Sequence, residues 1–303
     1  VRYNSPPSYL RAFQDGAGGH LFDALSTANN HTLDFGDRGA LETTAVLDEM
    51  GIPHSGVRER ADARRWVEAQ AGEFRVGFVA ATFGVNYPDD LAQSRIALSR
   101  VPGLAPEGDA LPDLGELEED LRDMDAAEID FRVVSIHWGF EYECYPTARM
   151  MQTARRLVQA GADLVMGHHP HLQHPLEMLW VNQTSGVDDP AAARHLALTS
   201  ELEDPRGPPR RGLVAYSLGN FTTTMVTHAC KLAVLLSVSL ERDAVSGRAR
   251  LRAPHTRWFY NIAPFAGRGA KTRRLVPVEA LERAHPAIAA AKKMKHHVDG
   301  TEP

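Results

Sequence analysis

Short apolar runs, each closed by a polar or glycine-containing break, alternate along this chain with stretches whose apolar positions recur at helical spacing. That alternation predicts an α/β fold in which strands feed polar loops and then helices. Ser5-Pro6-Pro7 opens a helix predicted to run to about residue 15, with the glycines at 16–19 ending it. Residues 21–27 form an apolar run that reads as a strand, and Asp37 is placed to cap a helix over 39–50. In that helix Leu41, Thr44, Leu47 and Met50 share a face, and Gly51 supplies the stop. Residues 66–69 and 75–82 predict a hairpin turning at Ala71-Gly72.

The stretch 86–113 is rich in Pro, Gly and Asp and predicts a surface loop. A charged helix is expected over 114–127, a strand over 132–136, a helix from Pro146-Thr147 to Ala160 closed by Gly161, and a strand over 164–166. Residues 185–211 are expected to form an exposed insertion, and 213–217 a strand that ends in Leu218-Gly219-Asn220-Phe221. Residues 232–240 and 248–252 predict antiparallel strands, and a helix over 278–293 with a basic tail is expected to follow a main domain of residues 1–277.

Three of the predicted strands end in metal-type donors: Asn29-Asn30-His31, His137-Trp138-Gly139 and Gly167-His168-His169-Pro170-His171. Imidazole nitrogen and amide oxygen suit first-row divalent ions, and a His-x-His pair on an extended segment places both rings on one side. The strand-end position common to all three clusters predicts one shared metal site. A single histidine of this kind is ordinarily a packed or solvated side chain; it is the shared context that carries the expectation.

Composition narrows the function classes. The chain has 303 residues, 39 acidic against 33 basic, a formal net charge of −6 and 14 histidines, so no overall basic field points to nucleic acid. Its two cysteines, Cys144 and Cys230, match no zinc or disulfide framework. No apolar run approaches the ~20 residues that span a bilayer, and the start carries no signal-peptide pattern. The expected location is therefore cytoplasmic or peripheral to a membrane. No glycine-rich phosphate loop is present.

Taken together, Asn29-Asn30-His31-Thr32-Leu33-Asp34-Phe35-Gly36, His137-Trp138-Gly139-Phe140-Glu141-Tyr142, Gly167-His168-His169-Pro170-His171 and Tyr216-Ser217-Leu218-Gly219-Asn220-Phe221 resemble the CapA family, named for poly-γ-glutamate capsule synthesis. That family is a branch of the calcineurin-like metallophosphoesterases. The resemblance runs in order from about Pro6 to Phe221. It implies a four-layer αββα sandwich with a metal site of one or two divalent ions (Mn, Fe or Zn) at the strand ends.

By the same resemblance, Asn30, His137, His169 and His171 are expected as metal ligands and His31 as the acid that protonates a leaving oxygen. His168 falls off the register and is expected beside the ligands. Asp34 and Glu141 are expected to orient His31 and His137, and Asn29 and Asn220 to line or hold the pocket. Trp138 is expected to be a buried aromatic or a substrate platform. The acidic motifs that precede the Asn-His motif in the superfamily have no counterpart before Asn29, so the expectation is a missing first strand or, as alternatives, a site that holds one metal or none. The implied activity is metal-dependent hydrolysis of a phosphoester or related anion, with a non-catalytic role in polymer synthesis or export as the alternative. The implied partners are an anionic small molecule or polyglutamate, and a capsule-synthesis membrane complex.

Overall fold

The computed structural model describes residues 2–14, 19–104, 112–182, 198–203, 209–244, 247–252, 254–262 and 274–278. The predicted helix and basic tail beyond residue 278 lie outside the described residues, as do most of the expected 185–211 insertion and the segment 105–111. By chain contacts there are two compact units, residues 1–138 with 160–162, and residues 139–159 with 163–303. Both are mixed α/β.

The first unit opens with α1 (Pro7–Arg11), which is shorter than predicted because Gln14 leaves the helix to bridge His20. The apolar run over 21–27 yields only β1 (Leu25–Ser26). Helix α2 (Gly36–Glu49) starts at Gly36, and Asp37 does not cap it. Instead the Asp37 carboxylate accepts hydrogen bonds from the Ser94 hydroxyl and the Arg95 amide, which hold its pKa below the usual carboxylate range. Strand β2 (His54–Ser55) pairs in parallel with β1. Gly56 (φ +127°) lets this pair close up, since a Cβ there would stand 2.6 Å from the Ala28 nitrogen.

Beyond lie β3 (Val57–Arg58), β4 (Trp66–Ala71) and β5 (Phe74–Thr82). The last two form the predicted hairpin, Ala71 opposite Phe74, with Gly72 at φ +61° in the turn. The stretch read as a surface loop instead contains α3 (Pro88–Gln93) and β6 (Ala97–Leu98), which pairs with β3. Its Ile96 and Leu98 pack on a buried cluster of Leu33, Ala40 and Val57, a gain that a turn-rich composition conceals. Helix α4 (Gly115–Ala126) follows, burying Leu117, Leu121 and Met124 on one face. Strand β7 (Phe131–His137) lies parallel to β5 from Val76–Phe131 to Thr82–His137 and is buried along its whole length.

In the second unit α5 (Ala148–Gln159) buries Met150, Thr153, Ala154, Leu157 and Val158, an uninterrupted stripe at helical spacing. Strand β8 (Leu164–His168) pairs in parallel with β11 (Arg210–Ala215); β11 pairs antiparallel with β9 (Leu176–Val181), and β9 in parallel with β10 (Leu198–Leu202). Neither β9 nor β10 was predicted. Glu177 on β9 is fully buried, and it accepts hydrogen bonds from Arg155 (2.8 Å), Ser200 (2.6 Å) and the Tyr216 hydroxyl. Burial and that bond to Glu177 push the Tyr216 hydroxyl above its ordinary pKa.

The expected strand over 232–240 is two strands. β12 (Leu232–Ser237) pairs with β15 (His255–Ile262), while β13 (Leu240–Arg242) pairs with β14 (Ala249–Leu251); β16 (Arg274–Pro277) completes the β12–β15 sheet. Leu232, Trp258, Tyr260 and Val278 form the core behind it. A buried side chain of this size contributes about 1.5–3 kcal/mol. Cys230 is buried beside this sheet and Cys144 is exposed, and both are free thiols. Among the described residues no helix is long and apolar enough to cross a membrane.

Candidate functional site

In the first unit the polar cluster is built on the turn that follows β1. The Asn29 side-chain oxygen accepts the His31 amide at 2.8 Å, and the Thr32 hydroxyl donates to the Thr27 carbonyl at 2.8 Å, so the turn is closed by its own side chains. Asn29 is therefore a turn-former. The closed turn leaves Asn30 buried, 4% exposed, at the position from which its side chain reaches the end of β7.

There the Asn30 Oδ1 accepts a hydrogen bond from Nε2 of His137 at 2.9 Å. His137 is the last residue of β7, its carbonyl accepts the Phe83 amide at 2.9 Å, and the Phe83 ring stacks on its imidazole at 6.2 Å. The orientation of the Asn30 amide is set on its other edge, where Nδ2 donates to Asn86 Oδ1 at 2.8 Å. An amide oxygen and an imidazole nitrogen are thus held face to face by strand, turn and a neighbouring amide.

This pair fits a divalent ion. Amide oxygen and imidazole nitrogen are both donors that first-row divalent ions accept, and here strand and turn bring one of each to the same point. The His137 Nε2 proton would leave on binding.

His31 lies on the same turn. Its Nδ1–H donates to the Asp34 Oδ2 at 2.7 Å, and the same oxygen accepts the Tyr3 amide at 2.7 Å. Asp34 is 2% exposed and His31 is part-exposed, with the Tyr3 ring set edge-on against it at 4.7 Å. With Nδ1 occupied by Asp34, Nε2 is the ring nitrogen left to exchange a proton with a ligand.

In the second unit His168 closes β8, and burial pushes its imidazole pKa down to about 4, so it stays neutral. His169 and His171 follow. They do not lie on an extended segment: φ is +106° at His169 and +62° at His171, and the ring centroids are 6.1 Å apart at 48°. The alternation rule for strands therefore does not orient this pair; a left-handed turn does.

His171 Nδ1–H donates to Asn220 Oδ1 at 2.7 Å, which leaves Nε2 as the lone-pair nitrogen. Glu141 Oε1 stands 3.7 Å from that Nε2, so the carboxylate expected to serve His137 is found beside His171. The Tyr142 ring stacks on His171 at 5.9 Å. Asn220 is fixed in turn by donating to the Cys230 carbonyl and by accepting, through its own carbonyl, from Asn261 at 3.2 Å. Trp138 is fully buried and serves as core, not as a platform. Among the described residues no three His, Cys, Asp or Glu side chains gather as a ready cation site, a count that leaves out the Asn30 amide.

Sequence reasoning missed Asn86, Tyr3, Phe83 and Asn261. Asn86 sits in the stretch read as a loop, and its partner Asn30 is far away in sequence, so no local pattern marks it.

Residues 1–225 match a family described as bacterial capsule synthesis protein PGA_cap. The chain is 29% identical over 202 residues to the capsule biosynthesis protein CapA of Bacillus anthracis, covering 66% of this chain and 40% of that protein. It is 31% identical over 160 residues to the PGA biosynthesis protein CapA of Bacillus subtilis, with 52% and 39% covered. A probable polyglutamine synthesis accessory protein of Mycobacterium tuberculosis is 34% identical over 166 residues, with 50% and 40% covered. The chain thus spans about two fifths of the length of these relatives. A solved Staphylococcus aureus structure with a provisional 5'-nucleotidase name, in complex with alpha-ketoglutarate, matches with a TM-score of 0.40 and 13% identity over 78% of this chain and 38% of that one.

Proposed function

We propose, for a chain that belongs to the bacterial capsule synthesis protein family PGA_cap, a metal-dependent hydrolase of a phosphoester or related anionic substrate that acts in making an anionic capsule polymer. The capsule context comes from the relatives named for capsule and PGA biosynthesis. The four-layer αββα arrangement and ligation of one or two divalent ions by Asn30, His137, His169 and His171 belong to the same proposal.

The observation that carries it is the Asn30–His137 pair at 2.9 Å beside the His31–Asp34 pair at 2.7 Å, a donor pair and an acid–base group brought together where the turn after β1 meets the end of β7. A bound divalent ion would activate water and neutralise charge on the transferring group. Asn30 and His137 hold their donor atoms together, Asp34 fixes the His31 tautomer, and His31 Nε2 delivers a proton to the leaving oxygen. Asn220 keeps the His171 Nε2 lone pair available.

The test is metal stoichiometry on purified protein with and without His169→Ala, followed by a phosphoester screen with added manganese. Equal stoichiometry in the two proteins removes the ligand assignment. Turnover abolished by His31→Ala supports the enzyme.

A second reading, a non-catalytic accessory factor that binds polymer, is favoured by the mycobacterial relative, whose name calls it an accessory protein. Polyglutamate binding without turnover of any phosphoester would select it. A membrane complex for polymer synthesis is the partner this reading expects.

A further inference from the structure

Asn86 faces both functional groups of the first unit. Its backbone amide donates to the Asn30 carbonyl at 2.8 Å, and its Oδ1 accepts from Asn30 Nδ2 at 2.8 Å. These two bonds fix which way the Asn86 side-chain amide points, and the NH2 group is left against His31, with Nδ2 3.1 Å from Nδ1 and 3.5 Å from Nε2.

That NH2 group cannot be satisfied by the nitrogen it lies nearest. The Asp34 carboxylate can only accept, so the 2.7 Å contact places the proton on His31 Nδ1, and a protonated Nδ1 has no lone pair for Asn86. The Nε2 atom has one, but at the far limit of hydrogen-bond distance. An exposed amide donor and the edge of an imidazole are therefore presented side by side to solvent, with the Tyr3 ring against the histidine. An exposed amide N–H so placed is complementary to an anionic oxygen set beside the imidazole.

We propose that Asn86 is a substrate-binding residue: its Nδ2 donates to an anionic oxygen of the substrate, phosphoryl or carboxylate, and presents that oxygen to His31, while its Oδ1 keeps the Asn30 oxygen turned to His137. This deepens the function proposed above and rests on its reading of His31. Because the donor and the positioning roles belong to different atoms of one side chain, they can be separated. Asn86→Asp keeps an acceptor for Asn30 Nδ2 but replaces the donor with a second anionic oxygen; Asn86→Ala removes both.

The experiment is a titration of the full chain, loaded with zinc, with inorganic phosphate and separately with glutarate, followed by NMR of the Asn86 side-chain NH2 and the His31 ring. The expected result is a shift of both signals with one of the anions, a loss of affinity of about tenfold in Asn86→Ala, and a larger loss in Asn86→Asp at unchanged zinc stoichiometry. Whichever anion binds names the source of the oxygen. Wild-type affinity in both Asn86 variants, with binding lost in His31→Ala, overturns this proposal and leaves the site reading standing. Wild-type affinity in His31→Ala, or no binding by the wild type, removes both.

Discussion

The side-chain oxygen of Asn220 accepts the Nδ1 proton of His171 at 2.7 Å, and Asn220 is itself tied to the Cys230 carbonyl and to Asn261. A histidine so held keeps one tautomer, with Nε2 basic. In Asn220→Ala the ring should move to the commoner Nε2–H tautomer, visible in its 15N chemical shifts, and divalent-metal affinity should fall about 10–100-fold. Wild-type 15N shifts in the variant would show that Asn220 does not set the ring.

Asp34→Asn tests the other histidine. An amide in place of the carboxylate keeps an oxygen for the Tyr3 amide but removes the negative partner of the imidazolium that His31 must become to deliver a proton from Nε2, so the acid loses its support. Turnover of the best phosphoester substrate should fall on the order of a hundredfold, with the melting temperature little changed. Unaltered kcat would mean that His31 is not the acid.

Gly219 has φ +72°, and a Cβ there would overlap Gln173 Nε2, whose amide donates to the Leu232 carbonyl at 2.6 Å. Gly36 also has a left-handed φ, +62°, but nothing lies within 4 Å of the Cβ position. Gly36→Ala should therefore cost only about 1 kcal/mol of backbone strain, whereas Gly219→Ala adds a buried collision and should cost more than about 2 kcal/mol. Urea unfolding of the two variants decides it, and equal costs would mean the Gln173 contact gives way.

Asp120 on α4 is buried and bonds through both oxygens to Arg65 Nε at 2.9 and 3.0 Å. Burial pushes its carboxyl up to about 6 against the pull of Arg65. A folded-state pKa above the unfolded one means that the native state binds the proton more tightly. The contribution to stability is thus fully present below the unfolded pKa of 3.8 and is lost as pH rises through about 6. Relative to Asp120→Asn, the wild type should gain roughly 1 kcal/mol between pH 7 and pH 5, measured by chemical denaturation at each pH. A difference that stays flat over that window contradicts the raised pKa.

The elements most legible in the sequence were those whose signal is local. The β4–β5 hairpin, α4, α5 and the core of β7 follow from periodicity and turn glycines. Strand β9 escaped because its buried glutamate, Glu177, breaks the apolar pattern and is satisfied only by Arg155, Ser200 and Tyr216 from other elements. The candidate site shows the same division. The strand-end positions of His137 and His168 were readable, but the left-handed turn through His169 and His171, the Glu141–His171 contact and the Asn86 amide arise from pairings between distant segments.

The unequal exposure of the two thiols has a practical consequence. Cys230 is buried, while Cys144 is exposed two positions beyond Tyr142, whose ring rests on His171. Alkylating reagents act on accessible thiolates, so the chain already carries one address for a fluorophore or spin label, close in sequence to the ring that covers His171, without engineering a cysteine.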